Sequence, residues 1–263
     1  MKAKVAGHEI AYETDGEGPA VLFLHAFPLG RFMWDAQVAA VRAGHQAIRF
    51  DARGFGESPC GDGLLTMERI ADDAAALLDH LGVARAVVCG CSMGGYAAFA
   101  MVRRHPDRLR GLVLQDTRAG ADTPEARQGR ATLAERVRRE GATAAADTFV
   151  PKLLGETTKR DNPALVERVR TAILGASPRA ITDALAGLAA RADSTSTLRE
   201  IRVPTLVVCG AEDKITPPAE SEVLHRAIAG SRLAVLDGAG HLSNLETPEA
   251  YDATLASFLA GVA

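Results

Sequence analysis

The most informative segment of this 263-residue chain reads AVVCGCSMGG and runs from Ala86 to Gly95. It opens with an apolar, β-branched run, carries the pattern G-x-S-x-G around Ser92, and continues into an alanine-rich stretch of helical character. A serine at a sharp strand-to-helix turn projects its hydroxyl from the top of a parallel sheet. Gly90 and Gly94 lack side chains, so the chain can approach itself closely at this turn. The segment therefore predicts Ser92 as a nucleophile at the top of a sheet.

Strands and helices are predicted to alternate on both sides of this segment. Parallel strands that are covered on both faces lose the alternation of polar and apolar residues, so short apolar runs indicate buried strands. The predicted strands are 20–24, 47–50, 86–91, 109–114, 203–209 and 232–236, and 2–14 is predicted as an antiparallel edge hairpin. The predicted helices are 67–81, 93–104 and 217–229, with a last helix that begins at Thr247-Pro248-Glu249. This order predicts an α/β protein with a mostly parallel sheet and helices on both faces.

One long segment, residues 119–198, interrupts that alternation. It is rich in Ala, Arg and Glu, has helical spacing throughout and contains no convincing strand. Apolar residues that recur every three or four positions are typical of helices that bury one face. We therefore predict a helical lid over 119–198, inserted between two strands of a core that consists of 1–118 and 199–263.

Composition and charge exclude several classes of protein. Thirty basic and 33 acidic residues leave a net charge of −3, whereas a nucleic-acid-binding protein usually has a basic excess. The chain begins without the continuous apolar run of a signal peptide, and no apolar run is long enough to span a bilayer. We therefore expect no nucleic-acid and no membrane partner. Four cysteines without CxxC spacing predict reduced, buried thiols in a cytoplasmic protein. No metal-ligand cluster or phosphate-binding loop stands out, so we expect no metal and no cofactor. The oligomeric state is not readable from the sequence.

A nucleophilic serine needs a base, and the base needs an acid that orients it. In a strand–Ser–helix arrangement of this kind the chain order is serine, acid, histidine. Three histidines follow Ser92: His105 precedes a proline at a helix end, His225 lies within a predicted surface helix, and His241 lies in a glycine-rich loop after the last strand. Catalytic groups gather in loops at the carboxyl edge of the sheet, so His241 is the predicted base.

Two aspartates compete for the role of the orienting acid. Asp213 follows the predicted strand 203–209 through a short loop, and Asp116 follows the strand 109–114. We favour Asp213 and keep Asp116 as the alternative; Glu212 precedes Asp213, but adjacent loop residues usually point apart. The acid would hold the imidazole in one tautomer and stabilise the imidazolium without itself taking the proton.

The backbone is predicted to supply an oxyanion hole. One donor is the N–H of the residue after the nucleophile, Met93, and the second comes from the loop after the strand 20–24. Phe27 is the predicted second donor, because Pro28 has no N–H. In the same region His25 is predicted to brace its loop, and Arg53 is predicted to stabilise a glycine turn and not to bind substrate.

In these motifs the chain resembles the α/β-hydrolase superfamily over nearly its whole length. The resemblance implies an eight-stranded, mostly parallel sheet flanked by helices, with a lid inserted between two strands, and a cofactor-free hydrolase that forms a covalent acyl-enzyme. It implies Ser92, Asp213 and His241 as a catalytic triad and the N–H groups of Phe27 and Met93 as the oxyanion hole. The motifs that carry it are His25-Ala26-Phe27-Pro28, Asp51-Ala52-Arg53-Gly54-Phe55-Gly56-Glu57-Ser58, Gly90-Cys91-Ser92-Met93-Gly94-Gly95, Gly210-Ala211-Glu212-Asp213 and Gly240-His241.

Within that superfamily the chain looks most like the 3-oxoadipate enol-lactonases and related carboxylesterases. The similar segments are Trp34-Asp35-Ala36-Gln37, Leu77-Leu78-Asp79 and Cys89-Gly90-Cys91-Ser92-Met93-Gly94-Gly95. Ala26 departs from the superfamily, which usually has Gly there, and it lies in the predicted oxyanion loop. The expected substrate is therefore a small-molecule carboxylic ester or lactone.

Two alternatives remain open at this stage. One triad supports several reactions, so C–C bond hydrolysis and cofactor-free perhydrolysis or haloperoxidation are alternatives on the same residues. A ligand-sensing module on a hydrolase scaffold is the alternative from another class of protein; it would show slow or single turnover.

Overall fold

A computed structural model describes residues 1–262 and contains one mixed sheet. Its order is β1-β2-β4-β3-β5-β6-β7-β8; β2 runs antiparallel to β1 and β4, and all other neighbours are parallel. The strands are β1 (Lys2–Val5), β2 (His8–Asp15), β3 (Ala20–Leu24), β4 (Gln46–Phe50), β5 (Ala86–Cys91), β6 (Leu109–Gln115), β7 (Thr205–Gly210) and β8 (Arg232–Leu236). The predicted eight-stranded, mostly parallel sheet with an antiparallel hairpin at one edge is confirmed.

The central strands are buried on both faces, which explains why their sequences are continuous apolar runs. All residues of β3, β5 and β7 are buried, whereas the edge strand β8 is buried only at Leu236. Helices cover both faces of a parallel sheet because each crossover connection must return across it. In residues 1–262 these are α1 (Asp35–Val41), α2 (Met67–His80), α3 (Met93–Arg104), α4 (Pro124–Glu140), α5 (Ala142–Leu153), α6 (Glu156–Asp161), α7 (Pro163–Leu174), α8 (Pro178–Ala190), α9 (Pro218–Ala227), α10 (Ser243–Glu246) and α11 (Pro248–Leu259).

Local capping decides where several of these helices begin. The Thr66 hydroxyl accepts a hydrogen bond from the N–H of Arg69 at the start of α2. Thr123, Asn162 and Ser177 cap α4, α7 and α8 in the same way, and each is followed by a proline at the first helical position. The short helices α1 and α10 have no counterpart among the predicted helices, because seven and four residues hold too few turns to give a periodic pattern.

The chain between β6 and β7 forms five helices, α4 to α8. No strand is predicted between 119 and 198, and the structure, which describes every residue of this range, contains none there. Hereafter the helices α4 to α8 and their connections are called the helical insertion. The two ends of the insertion lie together, because the N–H of Ser194 donates to the carbonyl of Ala119 (2.9 Å), four residues after the end of β6. The chain then runs to the opposite edge of the sheet, where β7 begins parallel to β6.

Candidate active site

Ser92 occupies the turn between the last residue of β5 and the first residue of α3. Its backbone has φ 53° and ψ −109°, a conformation that is costly for a residue with a side chain. The Ser92 N–H donates to the carbonyl of Gln115 (3.0 Å), and the Ser92 carbonyl accepts from the Thr117 hydroxyl (3.0 Å). The end of β6 therefore holds Ser92 in this strained conformation.

Two glycines make this turn possible. A Cβ atom on Gly90 would lie less than 3.0 Å from the carbonyl of Gly94, and one on Gly94 less than 3.0 Å from the carbonyl of Leu24 in β3. The spacing of the G-x-S-x-G pattern thus follows from two close approaches of backbone to backbone around Ser92.

His241 lies in the loop after β8 and forms a buried pair with Asp213. The distance from His241 Nδ1 to Asp213 Oδ2 is 2.7 Å, and the exposed fraction of the His241 side chain is 1%. When Nδ1 carries the proton and donates it to Asp213, Nε2 is left as the acceptor that a general base requires. The Sγ of Cys91 lies 3.8 Å from the His241 carbonyl oxygen, so the histidine loop lies directly beside the residue that precedes Ser92.

The surroundings of Asp213 keep it ionised. Asp213 Oδ1 accepts from the N–H groups of Ile215 (2.8 Å) and Thr216 (3.1 Å), and Oδ2 accepts from the Thr216 hydroxyl (2.7 Å). Burial opposes the charged form, but His241 and these hydrogen bonds outweigh it and lower the pKa of Asp213. For His241, burial favours the neutral form, yet the Asp213 carboxylate outweighs it and raises the pKa of the imidazole.

Asp116, the alternative acid, is also buried but has different partners. Its Oδ1 accepts from the Gly210 N–H (2.9 Å), and its Oδ2 accepts from the hydroxyl (2.7 Å) and N–H (3.2 Å) of Ser243 and from the side-chain amide of Gln115 (3.1 Å). Burial and the nearby charge of Asp213 raise the pKa of Asp116 to about 7. Asp116 thus joins the loop after β7 to the segment after His241, while Asp213 contacts the imidazole itself.

The two predicted oxyanion donors follow two neighbouring parallel strands: Phe27 lies in the loop after β3, and Met93 follows β5 and Ser92. No acceptor within residues 1–262 takes the N–H of Phe27, and Met93 begins α3, where the first N–H groups have no intrahelical partner. The Ala26 N–H donates to Met33 Sδ (3.2 Å), and Ala26 has no positive φ, so its methyl group requires no strained backbone. The Phe27 ring packs edge-on against Phe149 of the helical insertion, with ring centroids 5.3 Å apart.

His25 and Arg53 are both engaged in contacts within the core. His25 Nδ1 donates to the carbonyl of Ala26 (3.0 Å), and its Nε2 accepts from the N–H of Ala52 (2.9 Å), so it joins two loops. Arg53 forms a two-pronged ion pair with Asp73 of α2 (2.7 and 2.6 Å). The contacts of His25 agree with its predicted role, whereas Arg53 connects its turn to α2, and the aspartate of that turn, Asp51, pairs with Arg31 instead.

The helical insertion contributes to this site in a way that the sequence does not reveal. The N–H of His241 donates to the carbonyl of Leu153 at the end of α5 (3.1 Å), and Glu246 accepts the N–H of Gly155 (2.7 Å). Thr157 donates to the carboxylate of Glu212. No sequence signal links these residues, because 55 or more positions separate the partners and half of the donors and acceptors belong to the backbone.

Among residues 1–262 no three His, Cys, Asp or Glu side chains come together as a group that could hold a metal ion. No helix in the described part of the chain is both long and apolar enough to cross a membrane.

The comparison with protein families gives the class of this protein. A family model described as alpha/beta hydrolase fold matches residues 19–248, and the chain therefore belongs to the α/β-hydrolase family.

Particular relatives are similar over almost the whole chain. A thermophilic esterase from Thermogutta terrifontis, solved with malate bound, is 43% identical with a TM-score of 0.96, over 100% of this chain and 98% of the esterase. The enol-lactonase from Burkholderia xenovorans LB400 is 32% identical with a TM-score of 0.92, over 99% and 100% of the two chains. 3-Oxoadipate enol-lactonase 2 of Acinetobacter baylyi is 32% identical over 243 residues, which are 92% of this chain and 89% of that enzyme. The resemblance to the enol-lactonase and esterase group is thereby confirmed.

Proposed function

We propose that this chain is a serine hydrolase that cleaves a carboxylic ester or lactone of a small molecule through an acyl-enzyme. The observation that carries the proposal is the buried hydrogen bond of 2.7 Å between His241 and Asp213, beside a serine in a strained turn. A nucleophile, a base and a group that orients the base form the constellation that activates a hydroxyl for acyl transfer. The similarity to esterases and enol-lactonases favours esters and lactones over the other substrates of this fold.

In the proposed mechanism His241 Nε2 takes the proton of Ser92 Oγ as the oxygen attacks the carbonyl carbon. The N–H groups of Phe27 and Met93 hold the negative oxygen of the tetrahedral intermediate, a contact worth about 3 kcal/mol per donor. His241 then gives the proton to the departing alkoxide, and an acyl group remains on Ser92. Water repeats the sequence on the acyl-enzyme and releases the acid. Asp213 stabilises the imidazolium in both halves without taking the proton.

We also propose that residues 119–198 act as a lid that forms part of the substrate pocket over the core, 1–118 and 199–263. The contact between Phe149 and Phe27 supports this, because it brings the insertion over the loop of the proposed oxyanion hole. Loops and insertions at the carboxyl edge of a sheet usually set substrate choice.

Turnover of p-nitrophenyl acetate and of simple lactones tests the proposed function. We expect Ser92→Ala to abolish turnover, while Ser257→Ala, which changes an exposed serine of α11, keeps the wild-type rate. Loss of a triad nucleophile costs about six orders of magnitude in kcat. Turnover that survives in Ser92→Ala would contradict the proposal, and a wild type that binds lactones without repeated turnover would favour the ligand-sensing alternative.

A further inference from the structure

The segment from the last residue of α5, Leu153, to the second residue of α6, Thr157, lies against both loops that carry the proposed acid and base. We call it the anchor turn. The carbonyl of Leu153, its first residue, accepts a hydrogen bond from the N–H of His241 (3.1 Å). The N–H of Gly155 donates to Glu246 Oε2 (2.7 Å), while Glu246 Oε1 accepts the N–H of Leu242 (3.0 Å). Glu246 therefore links the residue after His241 to the insertion.

The same turn is bound to the loop of the proposed acid. Thr157 donates to the Glu212 carboxylate twice, from its N–H (2.9 Å) and from its hydroxyl (2.5 Å). These hydrogen bonds lower the pKa of Glu212, so the acceptor is charged. The Glu212 N–H in turn donates to the carbonyl of Ala239 in the histidine loop (2.8 Å). The anchor turn, the acid loop and the histidine loop form one hydrogen-bonded unit.

Neither Gly155 nor Gly240 has space for a side chain in this unit. A Cβ atom on Gly155 would lie 2.6 Å from Glu212 Oε2 and 3.0 Å from the Gly240 nitrogen, and one on Gly240 less than 3.0 Å from the Gly155 nitrogen. Gly155 has φ −63° and ψ 159°, which any residue adopts. The restriction at Gly155 is therefore the contact with the catalytic loops and not the backbone conformation.

We infer that the anchor turn is a working part of the active site, in which Glu212 and Glu246 are positioning residues that hold Asp213 and His241 through it. The inference rests on the proposed function of those two residues. Catalytic groups on loops need supporting contacts that hold them within about 0.5 Å of the productive geometry. It follows that any opening of the proposed lid leaves the anchor turn in place and moves other parts of the insertion.

Electrostatics assigns Glu246 a second effect on His241. Burial lowers the pKa of the imidazole, and three carboxylates raise it: Asp213 first, then Asp116 and Glu246. Glu246 thus favours the imidazolium that forms during acyl transfer, in addition to its hydrogen bonds.

The first test replaces Gly155 by alanine. Gly155→Ala adds one methyl group at the contact with the catalytic loops and leaves the backbone conformation allowed. Gly175→Ala, at the end of α7, is the matched control, because its Cβ atom would meet its nearest neighbour at an ordinary 3.5 Å. With p-nitrophenyl acetate we expect kcat of Gly155→Ala to fall roughly 10- to 100-fold with KM within about two-fold, and Gly175→Ala to match the wild type. A raised KM at unchanged kcat, or no change at all, would overturn the inference, since the turn would then only line the pocket or only connect two helices.

The second test needs no substrate, so it separates a failure of this inference from a failure of the proposed function. The imidazole of His241 is titrated by ¹⁵N NMR in the full-length wild type, in Glu246→Gln and in Glu249→Gln, which changes an exposed residue of α11. We expect a lower pKa of His241 in Glu246→Gln alone. An unshifted pKa of His241 in Glu246→Gln would overturn the electrostatic effect assigned to Glu246, even if esterase activity is never found.

Discussion

Asp213 and Asp116 are two buried carboxylates at the same edge of the sheet, and their hydrogen bonds give them different tasks. Asp213 accepts from His241, whereas Asp116 accepts from the backbone of Gly210 and from Ser243. Their pKa values move in opposite directions: that of Asp213 is lowered, and that of Asp116 is raised to about 7. The pKa values of two neighbouring carboxylates differ in this way because like charges oppose each other's ionisation.

Replacing each acid by its amide separates these roles. In Asp213→Asn the amide cannot stabilise the imidazolium and no longer selects the productive tautomer, so we expect kcat to fall by about four orders of magnitude. Asp116→Asn keeps the His241–Asp213 pair, so we expect its kcat to fall far less. Steady-state kinetics on one ester measures both variants. A larger loss in Asp116→Asn would show that the acid was assigned to the wrong aspartate.

The pH dependence of kcat/KM follows from the state of His241. The base acts when neutral, so activity is present above the pKa of His241 and is lost as the pH falls through it. Because Asp213 raises that pKa above the ordinary 6.5, we expect the acid limb of the wild-type profile to lie above pH 6.5. In Asp213→Asn the carboxylate is gone and burial lowers the pKa of His241, so the acid limb should move to lower pH. A limb that does not move would mean that another group controls it.

At the scale of elements, the close approach between β3 and α3 determines which residues can occupy the turn that carries Ser92. Gly94 lies in the first turn of α3 against the carbonyl of Leu24 in β3, and Gly90 lies at the end of β5 against the carbonyl of Gly94. A Cβ atom on Gly129, in the middle of α4, would meet no heavy atom of residues 1–262 within 4 Å beyond its own helix backbone and chain neighbours. The same residue type therefore has opposite effects in two helices: it is required in α3 and costs stability in α4.

Alanine substitutions should show this contrast. Gly94→Ala forces β3 and α3 apart, and we expect the free energy of unfolding to fall by about 3 kcal/mol or more. Gly129→Ala removes an exposed glycine from a helix interior and should raise it by about 0.5 to 1 kcal/mol. Urea denaturation followed by circular dichroism measures both. Equal effects of the two substitutions would argue against the close packing at Gly94.

At the scale of the whole molecule, a buried ionic cluster holds the two ends of the helical insertion together. Asp122, before α4, contacts Arg118 (3.1 Å), Arg130 (2.5 Å) and Arg191 (2.6 Å), and its side chain is fully buried. The Arg191 guanidinium also lies 4.3 Å from the centre of the Tyr96 ring in α3. This cluster joins the start and the end of the helical insertion to α3, the helix that follows Ser92.

Removing the one carboxylate of this cluster should destabilise the whole chain. Asp122→Ala leaves the buried Arg191 guanidinium without its counter-charge, and breaking a buried pair in this way costs about 3 to 5 kcal/mol. Asp147→Ala, which removes an exposed ion pair with Arg170 elsewhere in the insertion, should leave the melting temperature unchanged. Thermal unfolding measures both, and an unaltered melting temperature in Asp122→Ala would show that the cluster does not stabilise the fold.

The sequence by itself determined the sheet and the candidate residues Ser92 and His241, and it favoured Asp213 over Asp116 as the acid. Apolar runs, caps and glycine spacing are local properties, so they can be read within ten or twenty residues. The tertiary structure decided between the two carboxylates by the contact of Asp213 with His241, and it alone showed that the anchor turn, about 85 residues before His241 in the chain, lies against that histidine. Such contacts join loops that lie far apart in the chain, and many of their donors and acceptors are backbone groups, which every residue carries, so they leave no pattern in the sequence.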